Sequence, residues 1–318
     1  MSSTPSLLSD EHVDALVVGG GPAGLSAALM LGRSRRSVLV VDAGQPRNAP
    51  AAGVHGFLTR DGTPPDELLA LGRAEVAAYG VTVVDGRVET ATRIGDRFRV
   101  EVGGVVVHAR RLVVTTGLVD ILPDVPGVAE RWGRDVLHCP YCHGWEVRDR
   151  VVGVLATGPL ALHQASLFRQ LTDHVIVLRH TTDDLSADEV AGLRSRGVEF
   201  VDGEVACLEA DLDHLTGVRL ADGRRVALEA LVTAPRFTVD SPLLRGLGVE
   251  LADHPSGLGH HVETDMMGRT HVAGVWAAGN VTDPMAQVVA AAAQGTRVGA
   301  ALNADLIADD MTLMTRSA

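Results

Sequence analysis

The chain contains no lysine: all 28 of its basic residues are arginine. That excludes a lysine Schiff base, and with it pyridoxal-phosphate chemistry anchored in this chain, as well as the lysine-dependent phosphate loop of nucleotide triphosphatases. Positive charge is also the minority, 28 against 40 acidic residues, and a net charge of -12 argues against general affinity for nucleic acid or anionic membrane. No run of about 18 apolar residues occurs, and residues 1–10 lack the basic and apolar stretches of a signal peptide, so a cytoplasmic protein is expected. Three cysteines are too few for a disulfide scaffold. What is present, 46% hydrophobic residues and 35 glycines over 318 positions, suits a well-packed protein of two compact units.

Residues 13–42 read as strand, glycine turn, helix and strand. The apolar run 15–18 leads into Gly19-Gly20-Gly21-Pro22-Ala23-Gly24, an alanine- and leucine-rich helix over 25–31, and a strand over 37–41 that ends at Asp42. Strand-like segments at 81–84, 97–102, 105–109 and 112–115 suggest a β-meander inserted in an α/β fold. The stretch 122–127, with two prolines and a glycine, serves as a first linker. Residues 151–179 repeat the opening architecture more weakly, strands follow at 198–201, 218–220 and 231–233, and 234–242 forms a return linker. The chain closes with a strand over 272–277 and an alanine-rich helix from about 287 to 307, and 311–318 is expected to fray.

Gly19-x-Gly21-x-x-Gly24 has the context that a bare glycine pattern lacks: a preceding strand, a following helix, and Asp42 at the end of the next strand. The first glycine makes the turn, the second admits a pyrophosphate to the backbone, and the third lets helix pack on strand. The helix N-terminus stabilises the phosphate charge, and Asp42 accepts from ribose hydroxyls. The bland alternative is an ordinary turn with a solvated aspartate. The second cluster, Ala156-x-Gly158-x-x-Ala161, is degraded, so the approach of a pyrophosphate there is less assured.

Cys139-Pro140-Tyr141-Cys142 lies between the two nucleotide-binding folds and is flanked by His138 and His143. Three chemistries fit that spacing. Both cysteines and both histidines would make four metal ligands, although tetrahedral sites usually draw on separated segments. Two buried structural cysteines are disfavoured by the polar, turn-forming surroundings. A redox pair is preferred, because an adjacent imidazole helps a thiol of ordinary pKa ~8.5 to lose its proton. No metal is expected.

At this point the chain resembles the thioredoxin reductase-like flavoproteins. Gly274-Val275-Trp276-Ala277-Ala278-Gly279-Asn280 is similar to their second flavin-binding motif, and Val113-Val114-Thr115-Thr116-Gly117 to their intermediate one. The resemblance implies FAD rather than NAD, held by Gly19, Gly21, Pro22, Ala23, Gly24, Asp42, Thr116, Gly117, Gly279, Asn280, Gln287 and Val288. The family usually has Asp where Asn280 stands, so a neutral contact replaces a charged one. Cys-Pro-Tyr-Cys-His-Gly looks most like the FAD-dependent dithiol oxidases that close disulfides in natural products of the holomycin, romidepsin and gliotoxin type. The reductases carry Asp immediately after the second cysteine, where this chain has His143.

The resemblance implies a small-molecule dithiol oxidised through a Cys139–Cys142 disulfide, with Cys142 facing the flavin and O2 as acceptor giving H2O2. His143, or as second choice His138, is the expected general base. A homodimer is implied too, with neither nucleic acid nor membrane as partner. NADPH-using relatives place an arginine pair after the second strand of the second fold, where this chain reads Arg179-His180-Thr181-Thr182-Asp183-Asp184. One arginine and two carboxylates suggest a remnant that no longer binds NADPH. The alternatives are an NADPH-dependent thioredoxin-like disulfide reductase and a non-catalytic flavin-binding redox sensor.

The expected fold is thus α/β, with two Rossmann-like, three-layer (ββα-type) nucleotide-binding domains. The FAD domain, 1–118 and 239–318, is split by an inserted NAD(P)-binding-like domain, 119–238, that carries the Cys-x-x-Cys. Outside these motifs, His254, His260 and His261 read as a solvated loop, Asp183, Asp184, Asp309 and Asp310 as exposed turns or helix ends, and Cys207 as core. His55-Gly56-Phe57 follows the first fold with no role that its sequence defines.

Overall fold

The computed structural model describes residues 11–317; the signal-peptide reading of 1–10 therefore lies outside the described residues. The described residues form two compact units, one of residues 11–49, 64–119 and 237–317, the other of 50–63 and 120–236. The sequence division assigned 50–63 to the first unit; the structure groups this excursion with the second. Among the described residues no helix is long and apolar enough to cross a membrane.

The first unit is built on a seven-stranded sheet. Strands β1 (Glu11–Val18), β2 (Val38–Asp42) and β3 (Thr82–Asp85) run parallel, while β4 (Val88–Ile94), β5 (Arg97–Val102) and β6 (Val105–Val114) form an antiparallel meander. The order is β3-β2-β1-β6-β5-β4. Helix α1 (Pro22–Arg33) crosses from β1 to β2, and α2 (Pro65–Ala77) precedes β3. Both faces of the inner parts of β1 and β2 are covered, so residues 15–18 and 38–41 are apolar, with Ala15, Leu16, Val17, Leu39 and Val40 fully buried.

The segments read as separate strands at 105–109 and 112–115 are one ten-residue strand. Its first half pairs with β5 and its second half with Val275–Ala277, while β1 pairs along its other edge. Arg110 and Arg111 interrupt the apolar pattern, yet they do not break the strand. Their guanidinium groups reach carboxylates of Asp14, Asp305, Asp309 and Asp310. The strand expected over 272–277 is correspondingly short, because a turn in which Val275 N donates to Val272 O occupies its first half.

The terminal helix runs Val288–Ser317, ten residues past its expected end, and 311–317 continue it instead of fraying. Asp305, Asp309 and Asp310 anchor that extension to Arg110, Arg111 and Arg36, so Asp309 and Asp310 are ion-pair partners and not ordinary exposed ends. Gly295 and Gly299 lie against the backbone of Ala23 and Ala27, where a Cβ would collide with a carbonyl oxygen. The end of the chain is thereby packed onto the helix that opens at the glycine turn.

The second unit has a five-stranded parallel sheet ordered Glu199–Val201, Val175–Leu178, Val152–Leu155, Ala230–Val232, Val136–Leu137, with the helix Leu160–Phe168 crossing between Val152–Leu155 and Val175–Leu178. An antiparallel three-stranded sheet, Val205–Asp211, His214–Leu220 and Arg225–Ala227, packs on it through Leu215, Val218 and Leu220. Cys207 lies in this smaller sheet and is half-buried, not core.

Candidate active site

The glycine turn joins β1 to α1. Thr115, buried at the end of β6, donates from its hydroxyl to the carbonyls of Val18 (2.9 Å) and Gly19 (2.8 Å). A Cβ on Gly24 would collide with Gly19 O and come within 2.7 Å of Thr115 Oγ1, so only glycine lets helix and strand meet here. Gly21, by contrast, has nothing within 4 Å of where its Cβ would be. Among the described residues no side chain caps α1, and Pro22 opens it, so the first-turn N–H groups face an approachable backbone. Uncapped donors beside a bare glycine fit the pyrophosphate of a dinucleotide.

Asp42 ends β2 beside this turn, with its Cβ and Cγ 2.8 Å from where a Cβ on Gly20 would lie. Its carboxylate is paired with Arg73 of α2, which also donates to Asp85 at 2.8 Å. Sequence reading missed Arg73, as it missed α2 altogether. Thr116 and Gly117 follow β6 in an exposed loop where Gly117 has φ +69°. The hydroxyl that the turn uses belongs to Thr115, one position earlier.

The second cofactor motif also closes on itself. Asn280 Nδ2 donates to the carbonyls of Asp283 (3.0 Å), Pro284 (3.4 Å) and Ala286 (2.9 Å). Three converging carbonyl oxygens select an amide over a carboxylate, which explains the departure from the family's Asp. Gln294, which sequence reading also missed, accepts from Gly279 N at 2.8 Å and donates to Asp283 at 3.2 Å. Gln287, half-buried, accepts from Ala291 N at 2.9 Å and so starts the terminal helix, whose first residue is Val288. Ala23 and Gly279 meet at one place: a Cβ on Gly279 would lie 2.9 Å from the Ala23 side chain.

In the second unit, Cys139 and Cys142 form a disulfide with Cα atoms 5.2 Å apart. Cys139 caps a single helical turn, Pro140–His143, that proline at its first position preorganises. The strand Val136–Leu137 delivers the chain to this turn and is fixed by a buried ion pair, Arg131 Nε to Asp135 at 2.6 Å, whose carboxylate also accepts from Leu215 N. Gly144 ends the turn where any Cβ would strike Pro140 O and Leu171. Both cysteines, His138 and His143 are half-buried, while Tyr141 and Trp145 stand 69% and 64% exposed beside them. The disulfide thus sits at an accessible place.

Burial lowers the pKa of His143 below the ordinary 6.5; nearby Glu146 opposes that shift, and His55 adds to it. The imidazole is therefore neutral at pH 7 and able to take a proton from a thiol. Gln164 donates to the His138 carbonyl at 3.1 Å. Among the described residues no three His, Cys, Asp or Glu side chains are grouped to hold a metal ion. His254 and His261 stack edge to face, with ring centroids 5.4 Å apart, and both are half-buried, so they are not a solvated loop.

At the degraded second fingerprint, Ala156 is fully buried and its carbonyl accepts from the Thr182 hydroxyl at 2.8 Å. Arg179 Nε lies 3.3 Å from Asp202, and Asp183 and Asp184 are exposed. A cleft is lined by Arg179, Leu185, Val190 and Arg194. Arg194, a second guanidinium that sequence reading did not find, comes from the helix Ala187–Ser195.

Residues 13–295 match the model of the pyridine nucleotide-disulphide oxidoreductases. Thioredoxin reductase sirT of Leptosphaeria maculans is 31% identical over 339 residues, covering 99% of each chain. Thioredoxin reductase tcpT of Claviceps purpurea is 31% identical over 309 residues, covering 93% of this chain and 95% of that protein. Among solved structures, that of HlmI superposes with a TM-score of 0.90 at 45% identity over 96% of each chain.

Proposed function

The chain belongs to the pyridine nucleotide-disulphide oxidoreductase family as an FAD-dependent, thioredoxin reductase-like thiol–disulfide oxidoreductase, and from that premise we propose that it oxidises a small-molecule dithiol to a cyclic disulfide, with dioxygen as final acceptor. The observation that carries this reading is the accessible Cys139–Cys142 disulfide with the half-buried His143 on the same helical turn. His143 accepts the proton of one substrate thiol. The thiolate attacks Cys139 Sγ, the Cys139–Cys142 bond breaks, and Cys142 leaves as thiolate. The second substrate thiol then attacks the substrate sulfur of that mixed disulfide and expels Cys139. Two protons and two electrons have passed from substrate to enzyme.

FAD, when bound, would supply the two-electron acceptor needed to restore the enzyme disulfide, with dioxygen as the final acceptor giving H2O2. Gly19, Gly21, Pro22, Ala23 and Gly24 would hold its pyrophosphate, Asp42 its ribose, and Thr116, Gly117, Gly279, Asn280, Gln287 and Val288 would line the remainder. Ala156 in place of the first glycine, Arg179 engaged by Asp202, and the exposed Asp183 and Asp184 all support electrons arriving from thiols and not from NADPH. A cytoplasmic homodimer completes the proposal, and the free Cys207 suits a reducing compartment.

The shared cleft of Arg179 and Arg194 favours a second reading, an NADPH-dependent disulfide reductase. One experiment separates the two: the yellow holoenzyme is incubated with dithiothreitol in air without nicotinamide, and peroxide is measured. Sustained peroxide supports the oxidase. No peroxide, together with rapid bleaching of the flavin by NADPH under argon, supports the reductase.

A further inference from the structure

Residues 50–63 leave the first unit between β2 and α2 and pack with the unit that carries the dithiol. The excursion is closed on itself. Val54 N donates to Thr63 O and Gly62 N to Val54 O, each at 2.8 Å, and Gly56 N donates to Asp61 Oδ1 at 2.8 Å. Held in this frame, His55 has a carboxylate at each ring nitrogen: Asp61 Oδ2 lies 3.5 Å from Nδ1 and Glu146 Oε1 lies 3.4 Å from Nε2. Glu146 belongs to the short 3-10 turn Trp145–Val147, which follows the dithiol turn after one glycine.

We propose that His55 is a positioning residue for the thiol chemistry: by bridging Asp61 and Glu146 it holds the Glu146 carboxylate engaged beside the dithiol turn and so tunes the proton transfer at His143. The proposal rests on His143 being the base of the reaction above. Glu146, from the adjoining turn, favours the imidazolium form of His143, while His55 and burial disfavour it. Arg148, the next cation along the chain, is stacked on the Trp145 ring at 4.2 Å and donates to the Trp145 carbonyl at 2.7 Å. The helix Leu160–Phe168, packed against the dithiol turn, carries one titratable side chain, His163, and that is exposed. Burial is the largest influence on His143, and among the charged groups around it Glu146 and His55 are the two that act on it.

The two partners act with opposite sign, and this makes the proposal testable. Replacing His55 with glutamine releases the Glu146 carboxylate, so His143 keeps its proton to higher pH and the acid limb of kcat/KM moves up. Replacing Glu146 with glutamine removes the charge that favours the imidazolium, and the limb moves down. The experiment records pH profiles of kcat/KM for dithiothreitol oxidation in air by FAD-loaded wild type, H55Q, E146Q and H143Q. The flavin spectrum and thermal midpoint serve as controls of folding. Shifts in opposite directions support the proposal; loss of folding in H55Q leaves E146Q to decide it, by a downward shift or none. If H143Q abolishes the limb while H55Q and E146Q leave it unmoved, or move it the same way, the coupling is wrong and the base stands. A limb that persists in H143Q removes the base and the proposal together.

Discussion

The Thr115 hydroxyl donates to the Gly19 carbonyl at 2.8 Å, and Gly24 is pressed against both groups. End of strand, glycine turn and start of helix are therefore one packed object, and the three glycines of the fingerprint have different tasks. Gly24→Ala forces a Cβ into that contact and is expected to cost about 1–3 kcal/mol or more. Gly21→Ala meets open space and an extended backbone, so the apoprotein keeps its thermal midpoint. It nevertheless retains less FAD, because the added methyl faces the approaching pyrophosphate. Differential scanning fluorimetry of apoprotein, with flavin content read by absorbance, checks both; equal loss of stability in the two variants would contradict this division.

Asn280→Asp restores the residue usual in the resembling family and is nonetheless expected to harm this chain. A carboxylate cannot donate to the carbonyls of Asp283, Pro284 and Ala286, and the penalty for facing acceptors that lack a donor is about 1–3 kcal/mol. The measurement is the thermal midpoint, with limited proteolysis across residues 281–287. A variant as stable as wild type would show that the amide does not hold this turn.

Acid should destabilise the protein well above the carboxylate range. Burial lowers the pKa of His143, His180 and His254 below the ordinary 6.5, and His180 Nδ1 accepts from Val205 N at 3.0 Å, which requires that nitrogen unprotonated. The unfolded chain thus binds protons near pH 6.5 that the folded one refuses. The contribution is complete above that pH and is lost as pH falls through it toward the folded values. Asp309 and Asp310, lowered by their arginine partners, add a later loss below the ordinary 3.8. Urea midpoints from pH 8 to pH 5 should fall most steeply below about 6.5; a flat profile down to the carboxylate range would contradict the assignment.

The fold was legible where one local pattern decides the structure. The βαβ units and the fingerprint follow from apolar runs punctuated by glycine. Elements decided by partners far along the chain were not. Strand β4 buries only Val88 and Ala91, and α2 only Pro65 and Val76, so neither shows a strong apolar period, although Asp66 and Glu67 just after Pro64-Pro65 were a usable helix-start signal. Arg110-Arg111 looked like a break because their carboxylates lie about two hundred positions away on the terminal helix. In the site, the cysteine pair and its histidine were visible as a motif. Arg73, Gln294, His55 and Glu146 carry no motif and acquire meaning only through what the fold sets beside them.

The central claim, that electrons enter from a dithiol through Cys139–Cys142, is tested most directly by anaerobic titration of the holoenzyme with dithiothreitol, following flavin absorbance. The account predicts that wild type takes up two equivalents, one for the disulfide and one for the flavin, and bleaches. Cys139→Ser and Cys142→Ser should bleach at least about a thousandfold more slowly, whereas Cys207→Ser behaves as wild type. Bleaching of either active-site variant at the wild-type rate would mean that thiols reach the flavin without the disulfide, and the account would fail.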